Sequence, residues 1–276
     1  MSTSPVTLSA MTVPRADFAA RVDAAAAAGF AGIGLTAEQY RGARAAGWTD
    51  AAMLALLTER GLRVTEVEAS WDWGSDGTAD RRLGADVFHV LETFGVDRFN
   101  AVEFAGRDRP EVVRSFAALC ERAAGHGVTV ALEFMPFSRL PGLGDAWDVV
   151  SAAAADNGGI LIDTWHYRRS PGSARALAAV PPERIVAVQV NDAAPVAMDD
   201  ARYEARHHRL LPGEQAAGVL RTLRDHGVDS PIAVEVWSDE LAALPAAQVA
   251  ALAHRATRWA IERSAEPPAV QSAERT

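Results

Sequence analysis

VTVALEF, residues 128–134, is a short β-type run that meets a carboxylate at Glu133. The pattern recurs three times. GGILID at 158–163 ends on Asp163, RIVAVQV at 184–190 carries Gln189, and PIAVEV at 231–236 carries Glu235. If these strands are neighbours in one parallel sheet, the four polar side chains gather at its carboxyl edge. Three carboxylates and an amide in one place repel one another or hold protons unless a hard divalent cation neutralises them.

Outward from that core, β-type runs alternate with Ala/Leu-rich helical stretches along the whole chain, the pattern of βα units in a parallel sheet. Eight pairs are legible. The other four strands are VTLSA near Val6, AGIGL ending at Leu35, LRVTEVE ending at Glu68, and DRFNAVEF around Ala101. Pro14 and Asp17 open the helix FAARVDAAAAAGF and Gly29 closes it; Gly61, Gly127 and Gly227 stand in the same place between a helix and the next strand. Eight units in series with no linker predict an α/β fold, a single-domain (β/α)8 TIM barrel over residues 1–263. The segment 264–276, SAEPPAVQSAERT, reads as a flexible tail. A doubly wound sheet would also alternate strands and helices. Its phosphate-binding fingerprint needs a strand before the glycines, and in AGFAGIGL the glycines enter a strand instead.

At 276 residues the chain has the length of such a barrel, and 49% hydrophobic residues supply its core. No run of about 18 uncharged apolar residues suggests a membrane span. MSTSPVTLSAMTV lacks the basic start and apolar stretch of a secretory signal, so a cytoplasmic protein is expected. A single Cys120 excludes an internal disulfide and reads as a small buried hydrophobe. The net charge of −9 argues against nucleic acid, which calls for a basic stripe. A small-molecule substrate is the expected partner, with assembly into a homo-oligomer left open.

In a barrel of this kind, chemistry sits at the C-terminal ends of the strands. The expected metal ligands are therefore Glu133, Asp163, Gln189 and Glu235, and an all-oxygen set suits Mn2+ or Mg2+ better than Zn2+. His166, three residues beyond Asp163, is a candidate proton carrier, although a histidine there is otherwise a loop residue or a partner of the ligands. Asp192 reads as a cap or loop-closing carboxylate. Arg206 is a candidate for the far end of an anionic or hydroxylated substrate, with His207, His208 and Arg209 as alternatives that spacing does not rank. Trp71 and Trp73 in SWDWG are candidate pocket walls, and Glu68 and Glu103 candidate polar contacts. Glu133 and Glu235, on strands separated by two others, can face each other across a substrate. One removes a proton beside a carbonyl and the other returns it elsewhere.

At these residues the chain resembles the xylose-isomerase-like TIM-barrel superfamily of sugar isomerases, ketose 3-epimerases and dehydratases. The resemblance runs from ARVDAAAAAGFAGIGL to VEVWSD and implies metal-binding roles for Glu133 in ALEFMP, Asp163 in LIDTWH and Glu235 in AVEVWS. It also pairs His166 with the histidine that follows the family's aspartate by three. Most epimerases of the group carry histidine where this chain has Gln189. The bacterial 3-dehydroshikimate dehydratase branch is similar here, with glutamine at that position and a stretch echoed by VQVNDAAPVAMDDARYEARHHRLLPGE. That branch holds its substrate carboxylate with an arginine-bearing segment after the third strand, which SWDWG replaces. The expectation is a metal-dependent isomerase or epimerase acting beside a carbonyl of a polyhydroxylated or cyclic substrate. Its alternatives are a hydroxy-ketone dehydratase and a catalytically inactive barrel serving as a binding or accessory subunit. A third member of the superfamily, a DNA-repair endonuclease, would need a basic groove and more histidine ligands.

Overall fold

The computed structural model describes residues 5–70, 73, 78–104 and 107–266. Eight parallel strands close into one barrel in chain order: β1 (Val6–Leu8), β2 (Gly32–Thr36), β3 (Arg63–Ser70), β4 (Arg98–Val102), β5 (Thr129–Glu133), β6 (Gly158–Asp163), β7 (Ile185–Val190) and β8 (Ile232–Val234). β8 pairs back onto β1, with Val6, Thr7 and Leu8 opposite Ile232, Ala233 and Val234, so no sheet edge is left open.

Helices cover the outside. α1 (Phe18–Ala28) follows β1; α2 (Ala37–Ala45) and α3 (Asp50–Glu59) follow β2; α4 (Thr78–Phe94), α5 (Arg109–Ala124) and α6 (Leu143–Ala153) follow β3, β4 and β5. After β6 come α7 (Thr164–Arg169) and α8 (Ser173–Leu177), after β7 come α9 (Ala201–His207) and α10 (Glu214–Asp225), and after β8 come α11 (Asp239–Ala242) and α12 (Ala246–Ala265). The sequence punctuation works as read: Asp17 accepts a hydrogen bond from the Ala20 N–H at the start of α1, and Gly29 ends it at φ 91°, where a side chain would be strained. Among the described residues no helix is long and apolar enough to cross a membrane.

The barrel interior explains where the polar strand ends point. Ala131, Leu161 and Ala187 pack together inside. Each stands two residues before Glu133, Asp163 or Gln189, and side chains two apart on a strand share a face. Asp163 is the register partner of Gln189, which pairs in turn with Ala233, two residues before Glu235. On these three strands an apolar layer thus lies beneath the polar tier at the C-terminal rim, while β3 and β4 bring the buried Glu66–Arg98 ion pair and Asn100.

The expected tail starts too early. α12 runs to Ala265, and Ser264 is buried with its hydroxyl donating to the Ile261 carbonyl, because α10 holds this last turn through Arg221 and Arg224, which donate to the Arg263 and Ser264 carbonyls. Residues 267–276 lie outside the described residues.

Candidate active site

Glu133, Asp163 and Glu235 each offer a carboxylate oxygen, and these oxygens lie within 4.8 Å of one another. All three side chains are buried. Asp163 ends β6 and caps α7: its Oδ1 accepts from the His166 N–H at 2.9 Å, the geometry of an N-cap bonding the third helical residue. The three-residue spacing between Asp163 and His166 is therefore the spacing of the cap. Asp163 Oδ2 accepts from Asn191 Nδ2 at 2.6 Å and from Arg209 Nη1 at 2.8 Å.

Arg209 is the cation at the centre of this cluster. Its Nη1 also donates to Glu235 Oε2 at 2.8 Å, its Nη2 lies 3.2 Å from His166 Nε2, and its Nε donates to the Ala205 carbonyl at 2.7 Å. Because a guanidinium has no lone pair to offer, the His166 Nε2 facing it is the acceptor and the ring proton sits on Nδ1. That Nδ1 is buried without a partner.

One guanidinium does not neutralise three carboxylates. Burial, reinforced by the Asp163 charge and offset by Arg209, pushes the Glu133 carboxyl up to about 8. Burial likewise raises Glu235, with Arg209 opposing and Glu133 and Asp163 adding to the rise. Burial lowers His166 to about 4, so the imidazole is neutral near pH 7. The site binds protons where it would otherwise hold excess negative charge.

Gln189 is 1% exposed, and its Oε1 has no hydrogen-bond partner. An orphaned buried carbonyl oxygen costs free energy unless something else satisfies it. Gln189 is the register partner of Asp163, so three carboxylates and a neutral amide stand on adjoining strand ends, and the chemistry of the carboxylate trio fits a hard divalent cation.

The cluster opens into a cavity of about 410 Å³. Glu68, Arg206 and Arg209 line it together with Glu133 and Glu235, and Phe104, Met135, Phe137 and Trp237 supply an apolar wall. Phe104 and Phe137 stack with planes 6° apart. Glu68 is held from two sides, its Oε1 by the Ala10 N–H at 2.5 Å and its Oε2 by the Ser9 hydroxyl at 3.0 Å. Burial, then the charges of Glu66 and Glu235, raise its carboxyl well above the usual range. Gly34 makes room for it, since a Cβ there would fall 2.1 Å from Glu68 Oε1.

Other expected site residues lie elsewhere. Trp73 does not line the cavity: its Nε1 donates to the Val102 carbonyl at 2.8 Å and its ring packs edge-on to Phe116, with the Arg107 guanidinium over its face. Having a polar indole group to satisfy, it turns toward a strand carbonyl rather than the cavity. Trp71 lies outside the described residues. His207 faces Asp239 at 3.1 Å and stacks on Tyr203, drawn off by a surface carboxylate instead of lining the cavity. Glu103 is buried and ion-paired to Arg107. Asp192 caps α10, accepting from the Ala216 and Gln215 N–H groups.

Sequence reasoning left Arg209 unranked and passed over Asn191. Asn191 donates to Asp163 Oδ2 and to the Glu235 carbonyl, while its Oδ1 accepts from the Trp165 N–H and faces the Thr164 hydroxyl. Its one signal was its place in VQVND, directly after the strand that carries Gln189.

A closed eight-stranded barrel with an acidic cluster at its C-terminal rim defines a class of barrel enzymes. This chain belongs to the xylose isomerase-like TIM barrel family, whose pattern it matches over residues 22–261. It is 28% identical over 204 residues to a 3-dehydroshikimate dehydratase of Pseudomonas aeruginosa, covering 69% of this chain and 32% of that one. It is also 26% identical over 150 residues to an inosose isomerase of Bacillus licheniformis, covering 52% of this chain and 53% of that one. The chain thus spans about a third of the first relative and about half of the second. Among solved structures, the IOLI protein with a bound zinc atom superposes with a TM-score of 0.84 at 16% identity, covering 94% of this chain and 99% of that one.

Proposed function

We propose that this barrel is a divalent-metal-dependent enzyme that removes a proton beside the carbonyl of a cyclic, polyhydroxylated ketone. The observation that carries this reading is the trio of buried carboxylates, Glu133, Asp163 and Glu235, whose oxygens lie within 4.8 Å of one another, with the orphaned Oε1 of Gln189 on the strand paired beside Asp163. Glu133, Asp163, Gln189 and Glu235 would hold the cation, and their oxygen-only chemistry favours Mn2+ or Mg2+. When bound, the cation supplies positive charge against the substrate oxygen on which charge develops. The chain contains no lysine, so a Schiff base is not available as the electron sink.

The remaining work falls to side chains. Glu133, at the end of β5, and Glu235, directly after β8, line the cavity and are the candidate proton-transfer groups, and His166, neutral and with Nε2 3.3 Å from Glu133 Oε1, is a candidate to exchange a proton with that carboxyl. Arg209 holds Asp163 and Glu235 in place and faces the cavity with its charge. The stacked Phe104 and Phe137 offer a flat apolar wall, which suits a ring better than a flexible chain.

Two outcomes follow from the same first step. If the proton is returned to the skeleton, the product is an isomer or epimer; if a β-hydroxyl leaves, water is lost. We place dehydration first, reversing the order expected from sequence. The dehydratase relative matches more of this chain than the isomerase does, and glutamine replaces the histidine usual in the epimerases. Metal-loaded protein incubated with cyclic hydroxy-ketones in D2O separates the two. Dehydration gives a conjugated, ultraviolet-absorbing product, and isomerisation leaves a deuteron in recovered ketone. Failure to bind Mn2+ or Mg2+ on titration would sink the metal-dependent reading and favour a non-catalytic barrel.

A further inference from the structure

The cavity is electrically lopsided. One part of its lining carries Glu68, Glu133 and Glu235, while α9 brings Arg206 to the lining one helical turn after Arg202. Among the described residues, neither guanidinium has a carboxylate partner, although Glu38 also lines the cavity. The other arginines of this region are committed: Arg169 to Glu204, and Arg209 to Asp163 and Glu235. Arg202 lies over the cavity-lining rings of Phe104 and Phe137, 5.4 and 6.0 Å from their centroids. Two like charges one turn apart on a helix repel. Burial and the Arg202 charge both lower Arg206 from its ordinary value, the signature of a cation that lacks a counter-charge.

From this arrangement we infer that Arg206, backed by Arg202, is the anion-recognition element of the cavity. It takes an anionic oxygen group, a carboxylate or a phosphoester, carried by the substrate. The inference rests on the proposed function and sharpens it: the substrate is a charged ring, with a flat face against Phe104 and Phe137. A guanidinium fork pairs two oxygens of such a group, and the approach of an anion relieves the repulsion between the two arginines. Neutral polyols gain nothing from this pair.

The test is equilibrium binding to Mn2+-loaded protein at low ionic strength, after metal uptake has been measured separately. The probes are shikimate, its methyl ester, myo-inositol and myo-inositol 1-phosphate. One charge-assisted pairing predicts that the parent binds one anion about tenfold or more tighter than its neutral counterpart. Preference within the shikimate pair identifies a carboxylate, and preference within the inositol pair identifies a phosphoester. Arg206→Gln is expected to remove that preference without weakening the neutral probe, and Arg202→Gln to reduce it. Both residues are exposed, so neither variant is expected to alter the melting temperature. Equal binding of anion and neutral probe, absence of binding by all four, or a preference that survives the double variant overturns the inference. If Mn2+ is taken up normally in those cases, the metal-dependent reading stands; if it is not, that reading fails on its own evidence.

Discussion

Asn191 shows how a single amide can set the geometry of an acidic cluster. It binds Asp163, the Glu235 carbonyl and the start of α7 together, linking β6, β7 and β8 at the rim. With Asn191 in place, Asp163 Oδ2 has a fixed direction; without it, the carboxylate keeps only Arg209 on that oxygen. Asn191→Ala is expected to weaken Mn2+ binding by about 10–100-fold, the usual cost of losing a group that orients a ligand. Calorimetric titration measures it, and unchanged affinity would assign Asn191 a packing role alone. At this scale the sequence was only partly legible. Glu133, Asp163 and Glu235 stood out because a carboxylate at the end of an apolar run demands explanation, as did Gln189. Asn191 and Arg209 raise no such alarm: an asparagine after a strand reads as a turn residue, and Arg209 stands in RHHR as one of four substrate-binding candidates that spacing does not rank. Only the fold carries Arg209 back into the cluster, where it is 4% exposed.

The element that matters most to the cavity is α9, seven residues long and too short to hold itself. Its anchor is Glu204, fully buried, which accepts from Trp165 Nε1 at 3.2 Å, from Arg169 at 2.5 Å and from the Met198 N–H at 2.9 Å. These bonds tie α9 to α7 and to the loop after β7, and so fix Ala205, Arg206 and Arg209. Removing one partner of a buried ion pair leaves the other uncompensated, so Glu204→Ala is expected to cost about 3–5 kcal/mol. Denaturant unfolding measures that loss, and a cost below about 1 kcal/mol would mean that packing around Trp165 holds α9 without the carboxylate. The paired helices after β2, β6, β7 and β8 were not legible as pairs. Capping and glycine signals mark single boundaries, as at Asp17 and Gly29, whereas α7 and α9 owe their existence to contacts such as Trp165 to Glu204 that join distant segments. Trp73 fails for the same reason. Its place in SWDWG suggested a pocket wall, but the Val102 carbonyl that claims its indole lies 29 residues away in sequence.

For the molecule as a whole, the barrel was legible because its information is periodic: eight apolar runs, separated by helices, leave few ways to close a sheet. Closure puts the like charges of β5, β6 and β8 together, and the stability of the metal-free protein must then depend on pH. The Glu133 carboxyl is raised from 4.5 to about 8 on folding. A group raised in the folded state stabilises fully below its unfolded value and loses that contribution as pH rises through the folded value. Its contribution therefore drains away between about pH 4.5 and 8. His166 works in the opposite sense, lowered from 6.5 to about 4, so its contribution is complete above 6.5 and is lost as pH falls toward 4. The histidine's slope fades above pH 6.5 and is shared by parent and variant, so the difference between their curves reports the Glu133 carboxyl. The melting temperature of metal-free protein is expected to fall from pH 6.5 to 8 more steeply in the parent than in Glu133→Gln, which has no proton to lose there. Saturating Mn2+ should flatten the parent's curve, because a bound cation stabilises the ionised carboxylates that otherwise repel. Parallel curves for the two proteins would mean that Arg209 already neutralises Glu133, and that the repulsion which motivates a metal at this rim is absent.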